Sequence, residues 1–252
     1  MTSNSESYWT KPKLAAKPRL VTAIWGPPKD GGKTHFALTF PEPIYYFNVD
    51  RGIDELLPQF PNTDIRAVIV RAETGVGTTP QFLEQEYNTL MGAYAEALVE
   101  LKKLETGTMV FDTFTQTRAL LAAHHLGRIK RDRIKAGGRD ETFQYDWEAV
   151  NNDTGGIIRD VYDVPGVNLV LIHREAPVYD ARGNDLGSKK IQGWHGTLAA
   201  VGHIAYMGRD TKGFYAKIEG SRSGAEFKGM RIEDPTHEKF IALGIGAIDI
   251  GA

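Results

Sequence analysis

The segment Gly26-Pro27-Pro28-Lys29-Asp30-Gly31-Gly32-Lys33-Thr34 constrains this chain most, because it joins an apolar strand-like run (Leu20 to Trp25) to a helical pattern (Lys33 to Phe40). Glycines let backbone N–H groups crowd around an anion, and a helix opening directly afterwards adds its own unpaired N–H groups. In such a cradle the Lys33 ammonium supplies charge to β- and γ-phosphate oxygens, and the Thr34 hydroxyl offers a ligand to Mg²⁺. The candidate phosphate-binding set is Gly26, Lys29, Gly31, Gly32, Lys33, Thr34 and His35. The competing reading is a Gly/Pro turn before a helix that happens to contain Lys-Thr. The spacing departs from G-x-x-x-x-G-K-[ST]: Gly26 stands one position too early, so the loop is one residue longer, and a bulge between Pro28 and Gly31 is expected to absorb it.

Around this loop, short apolar runs alternate with longer helical patterns. Leu20 to Trp25, Ile44 to Val49, Ala67 to Arg71, Thr108 to Asp112 and Val167 to His173 read as buried strands. Lys33 to Phe40, Gln81 to Leu104, Thr115 to Leu126 and Tyr145 to Val164 read as helices, with Gly155 and Gly156 counting against the last. This rhythm predicts an α/β fold: a mostly parallel twisted sheet flanked by helices. After His173, shorter pieces (His203 to Met207, Phe214 to Glu219, Lys239 to Leu243) predict antiparallel strands added to one edge near the C-terminus. Residues 1–17 lack a hydrophobic period and read as a flexible arm carrying Tyr8 and Trp9, leaving 18–252 as one domain.

Composition narrows the chemistry. The 252 residues contain no cysteine, which excludes disulfides, thiol catalysis and cysteine-ligated metal. A net charge of −2 confines any nucleic-acid binding to local basic clusters. No apolar run reaches membrane-spanning length and the first residues are polar, so a cytoplasmic protein is expected.

Three strand ends add candidates. Thr108-Met109-Val110-Phe111-Asp112 is expected beside the phosphate-loop strand, with Asp112 holding Mg²⁺ or capping the next helix. The run ending Asn48-Val49-Asp50 places a carboxylate where a water-activating base can sit, with a helix cap as the alternative. Leu171-Ile172-His173-Arg174 puts His173 beside the γ-phosphate position, as a sensor of hydrolysis or as a structural histidine.

In this order, these motifs resemble the RecA-type recombinase core, and most of all the short single-domain RecA-like ATPases of bacteriophages associated with single-strand annealing. The resemblance covers roughly Arg19 to Arg231 and is firmest at the phosphate loop and the Asp112 strand. It implies ATP and Mg²⁺ as cofactors, Lys33, Asp50 and His173 as catalytic residues, Thr34 and Asp112 as metal ligands, and the host cytoplasm if the chain is phage-encoded. Asp50 stands where the family has a glutamate, and its shorter side chain implies slow turnover.

The resemblance also implies two mobile loops that hold single-stranded DNA. The first, Gly127 to Gln144, carries Lys130, Arg131, Arg133, Lys135 and Arg139; the second, Ala176 to Gly196, carries Lys189, Lys190 and Trp194. The competing readings are a solvated, charge-rich helix end for the first and Trp194 as a core residue of a hairpin for the second. Self-association into a ring or filament would let Lys217 or Arg222 reach a neighbour's γ-phosphate, and Tyr8 or Trp9 pack on an adjacent subunit. The expectation is an ATP-hydrolysing, single-stranded-DNA-binding recombinase or annealing protein with no membrane partner. The alternatives are a loader or packaging ATPase and a small-molecule kinase.

Overall fold

A computed structural model describes residues 18–245 except 30, 76 and 194. The expected arm with Tyr8 and Trp9, and the candidate Trp194, lie outside the described residues.

The centre is a parallel sheet built from β1 (Val21–Trp25), β2 (Ile44–Asn48), β4 (Gly107–Asp112) and β5 (Val167–His173), every residue of which is buried. Continuous burial explains their unbroken apolar runs, since a strand covered on both faces has no solvent side to alternate with. Side chains still alternate between two cores. Val21 and Ala23 pack with Leu90, Leu101, Leu120 and Ile157, while Leu20 and Ile24 pack with Phe36, Phe40 and Phe240. The first core lies under α2 (Pro80–Leu104), α3 (Phe114–Lys135) and α4 (Glu148–Tyr162), the second under α1 (Lys33–Ala37) and α6 (His237–Ala242). Gly155 and Gly156 do not break α4. Side-chain bonds lock α2, α3 and α4 together: His124 Nε2 meets Glu84 at 2.8 Å, His125 Nε2 meets Asp153 at 2.7 Å, and the Tyr87 hydroxyl donates to the same Asp153.

The sheet is completed by β3 (Ile65–Ile69), β8 (His203–Asp210), β9 (Gly213–Ser221) and β10 (Arg231–Glu233), in the order β10-β9-β8-β1-β5-β4-β2-β3. This corrects three expectations. The Asp112 strand is not beside β1: β5 lies between, with Trp25 opposite His173 on one side and Asp112 opposite Ile172 on the other. Chain order says which segments are strands but not which crossover fills the gap. At the other edge β8 runs parallel to β1, and only β9 and β10 are antiparallel additions. Lys239 to Leu243 falls mostly in α6, whose start is set by Thr236 accepting a bond from the Lys239 N–H.

Both expected loops are also largely ordered. α3 continues to Lys135, so Arg128, Lys130, Arg131, Arg133 and Lys135 ride on a helix, where cations near its C-terminal end suit the helix dipole. The second segment forms an antiparallel hairpin, β6 (Glu175–Tyr179) with β7 (Asp185–Ile191), followed by short α5 (His195–Ala200). Alternation there is obscured because β7 is exposed along nearly its whole length.

Candidate nucleotide site

The phosphate loop leaves β1 at Gly26, whose Cα lies against β8. A Cβ there would sit 2.0 Å from the Met207 carbonyl oxygen, so only glycine fits. Gly32, at φ 67, turns the chain into α1 through the left-handed region, and a Cβ there would lie 2.9 Å from the Phe214 ring. Lys29, within the Pro28 to Gly31 stretch, also has positive φ (69). Lys29 and His35 are exposed, and the His35 ring packs against Phe60 at 5.2 Å between centroids.

Lys33 folds back over its own loop, its ammonium donating to the carbonyl oxygens of Gly26 (3.0 Å) and Pro27. Burial pulls its pKa down, while the carboxylates of Asp112, Glu175 and Asp50 push it up. Its ammonium therefore occupies an acidic neighbourhood. Thr34 Oγ1 donates to Asp112 Oδ2 at 2.9 Å, and the Tyr46 hydroxyl donates to the same oxygen. Asp112 is 4% exposed; burial raises its pKa, and the bonds from Tyr46 and Thr34 offset part of that rise. Tyr46 is itself held well above its ordinary value by burial and by Asp112.

Asp112 also organises β2 through its backbone. Its carbonyl accepts from Val49 N (2.7 Å) and Asp50 N (3.0 Å), fixing the Asp50 backbone beside the site. The Asp50 carboxylate accepts from Arg174 at 2.8 Å. His173 is buried with Nδ1 3.1 Å from the Gln192 carbonyl oxygen, and its Nε2 has no partner. Burial lowers its pKa to about 4, so the ring is neutral at physiological pH. Gln192, which follows β7, also accepts from Thr115 Oγ1 (2.9 Å), so the hairpin is rooted at the strand ends that carry Asp112 and His173.

Lys33, Thr34, Asp50, Asp112 and His173 thus converge at the carboxyl ends of the parallel strands, where an open α/β sheet forms its crevice. The remaining candidates scatter. Arg131 lies 16 residues beyond Thr115 on α3, about 24 Å along the helix axis, so the first basic cluster is remote from the site. Within that cluster Arg133 is tied to Asp146 (2.9 Å) and to the Glu141 carbonyl, Lys130 pairs with Asp140 (3.1 Å), and Arg139 pairs loosely with Glu141 (3.9 Å). Lys189 and Lys190 are exposed on β7. Arg222 donates to the Ala199 carbonyl, whereas Lys217 is exposed on β9 opposite Arg231.

Tyr46, Arg174, Glu175, Thr115 and Gln192 complete the site without having been singled out from sequence. Only Arg174 carried a visible signal, as the cation directly after His173; the others become neighbours only through strand order.

An oxygen-only donor set suits Mg²⁺, which prefers one or two carboxylates and a hydroxyl. A cradle is present as well: a Cβ on Gly52 would lie 3.5 Å from Asp112 Oδ2 and 3.7 Å from Thr34 Oγ1. Thr34 and Asp112 are the residues that would hold the ion.

With β5 between the loop strand and the aspartate strand, and a Gly-Lys-Thr loop opening α1, the chain is an α/β protein with a mostly parallel sheet flanked by helices. No family model matches the sequence, and no curated protein matches it. Among solved structures the chain is similar to an ATPase from the type III secretion system of pathogenic bacteria, with TM-score 0.49 and 10% identity over 76% of this chain and 53% of that one. It is also similar to the RadB recombinase, with TM-score 0.42 and 11% identity over 85% of this chain and 86% of that one. The chain spans about half the length of the first of these. Both are likenesses of fold outline. Among the described residues, no helix is long and apolar enough to cross a membrane.

Proposed function

We propose that this chain binds ATP with Mg²⁺ in the crevice at the carboxyl ends of β1, β4 and β5, hydrolyses it slowly, and uses the event to control its grip on single-stranded DNA. The observation that carries the nucleotide reading is the bond from Thr34 Oγ1 to Asp112 Oδ2, which joins the phosphate loop to an acid 78 residues away at a strand end.

In this reading the Lys33 ammonium exchanges the Gly26 and Pro27 carbonyls for phosphate oxygens. The backbone N–H groups of the loop orient the phosphates. Thr34 and Asp112 would hold Mg²⁺, which would supply neutralising charge when bound. Asp50 takes the proton from the attacking water, and neutral His173, whose Nε2 is unpartnered, stands at the end of β5 beside the phosphate loop.

Support for the DNA part comes from the hairpin. It is rooted through Gln192 to His173 and Thr115, and it carries the exposed cations Arg182, Lys189 and Lys190. Self-association is supported by the outer strand β3, where Ile69 is 52% exposed.

The test measures ATP hydrolysis with and without single-stranded DNA for the parent and for Lys33→Ala, beside a salt titration of DNA binding. Lys33-dependent hydrolysis that DNA stimulates is expected. Hydrolysis indifferent to Lys33 would remove the nucleotide reading, and binding indifferent to salt would remove the DNA reading.

A further inference from the structure

Arg174 is held in an unusual way: its backbone is fixed on both sides while its charged end is not. The Arg174 N–H donates to Thr115 Oγ1 at 3.2 Å, and its carbonyl accepts from Gln192 N at 2.8 Å. The guanidinium makes one ion pair, to Asp50 Oδ1 at 2.8 Å, with the two side chains 44% and 43% exposed. A half-exposed pair of this kind contributes at most about 1 kcal/mol, so a stronger acceptor can replace it. A phosphate group is such an acceptor, because its oxygens match the planar fork of a guanidinium.

Location supplies that acceptor. Trp25 stands opposite His173 in the sheet, so the next residue on each strand, Gly26 and Arg174, begin side by side, one opening the phosphate loop and the other carrying the cation. The pair to Asp50 spans the ends of β5 and β2 and passes over the end of β4, where Asp112 and Thr34 meet. Three carboxylates, Asp112, Glu175 and Asp50, already act on Lys33. A third phosphate entering that acidic neighbourhood draws on the nearest loosely held cation. Asp50, with an oxygen engaged by Arg174, is poorly placed to take a proton from water.

We propose that Arg174 senses the γ-phosphate: it pairs with Asp50 when only two phosphates are present, and moves to the γ-phosphate of a bound triphosphate, freeing the Asp50 carboxylate. This rests on the nucleotide reading above and assigns that site its discrimination between ATP and ADP. It also keeps the base engaged whenever the product diphosphate occupies the loop.

Breaking the same pair from either side separates this role from a structural one. Calorimetric titration with Mg²⁺ and either a non-hydrolysable ATP analogue or ADP is made on the parent, Arg174→Gln, Arg174→Lys and Asp50→Asn. Arg174→Gln should weaken the triphosphate about tenfold, the size of one charge-assisted bond, and leave ADP within about twofold. Asp50→Asn should tighten the triphosphate, because the cation no longer has to leave a partner. Arg174→Lys should keep part of the preference. If Arg174→Gln and Asp50→Asn shift triphosphate affinity in the same direction, or Arg174→Gln keeps the parent's preference, the pair is only structural and the proposal falls. A parent that binds neither nucleotide, or a Lys33→Ala variant that binds both as tightly as the parent does, overturns the nucleotide reading itself.

Discussion

The Thr34 hydroxyl and the Tyr46 hydroxyl donate to one oxygen of Asp112, the first bond measuring 2.9 Å, so a helix start and a neighbouring strand converge on a carboxylate that is 4% exposed. Two donors to one buried oxygen keep an otherwise costly charge in place. The arrangement trades stability for the capacity to hold a cation, and that trade can be measured.

Asp112→Asn should stabilise the nucleotide-free protein by about 1 kcal/mol at neutral pH while removing the Mg²⁺-dependent part of nucleotide binding. The folded pKa of Asp112 is raised from its ordinary 3.8, mainly by burial. The carboxyl therefore favours the fold below 3.8, and that advantage is lost as pH rises through the folded value. The gain from asparagine should vanish in acid, as urea titrations at several pH values would reveal. A variant less stable than the parent at pH 7 would count against this account.

Protonation of His173 gives the opposite slope. Burial lowers its pKa from 6.5 to about 4, a depressed value whose contribution is present above 6.5 and lost as pH falls through the folded value. Stability should drop by roughly 3 kcal/mol between those limits, with uptake of a proton on unfolding. His237, also lowered to about 4 by burial, adds to the slope. Thermal melts of His173→Gln between pH 7 and 4.5 should show a shallower decline than the parent, and a double variant with His237→Gln a shallower one still.

The two glycine types should respond in opposite ways to alanine. Gly26→Ala drives a methyl group to within 2.0 Å of the Met207 carbonyl oxygen and should cost about 2 to 4 kcal/mol, together with nucleotide binding. Gly156 lies inside α4 with nothing within 4 Å of an added Cβ, so Gly156→Ala should gain about 0.5 to 1 kcal/mol. Chemical denaturation of both variants tests the pair. Equal losses would mean that the loop's approach to β8 is not what requires Gly26.

The central strands were legible because burial on both faces leaves an uninterrupted apolar run. Lys33, Thr34 and Asp112 were legible because phosphate and Mg²⁺ demand particular residue types next to a strand end. What sequence hid was adjacency. Nothing in Val167 to His173 says that β5 lies between β1 and β4, and it is this placement that sets His173 opposite Trp25. Tyr46 reads as one more core aromatic until the strand order brings it to Asp112. The basic run after Gly127 reads as a loop because its cations suppress the apolar period, yet α3 runs through to Lys135. The hairpin could be read only as the competing possibility for a related reason: β7 is exposed nearly throughout and so has no buried alternation to read.

That misreading separates two basic regions that the sequence grouped together, and their separation yields the last prediction. The hairpin is tied to the nucleotide site through Gln192, Thr115 and His173, whereas Arg131 lies about 24 Å along α3 from Thr115. Lys189→Glu with Lys190→Glu should therefore reduce both single-stranded-DNA affinity and the stimulation of ATP hydrolysis by DNA. The slope of log affinity against log salt should fall by about 1.4, the loss of two phosphate contacts. Arg131→Glu with Lys135→Glu can lower affinity by its charge but should leave the maximal stimulation at saturating DNA unchanged, because both residues lie about 24 Å or more along α3 from Thr115 and the nucleotide site. Steady-state hydrolysis at saturating DNA for the two variants gives the comparison. Loss of stimulation in the α3 variant, with the hairpin variant unaffected, would move the DNA-responsive element from the hairpin to the helix.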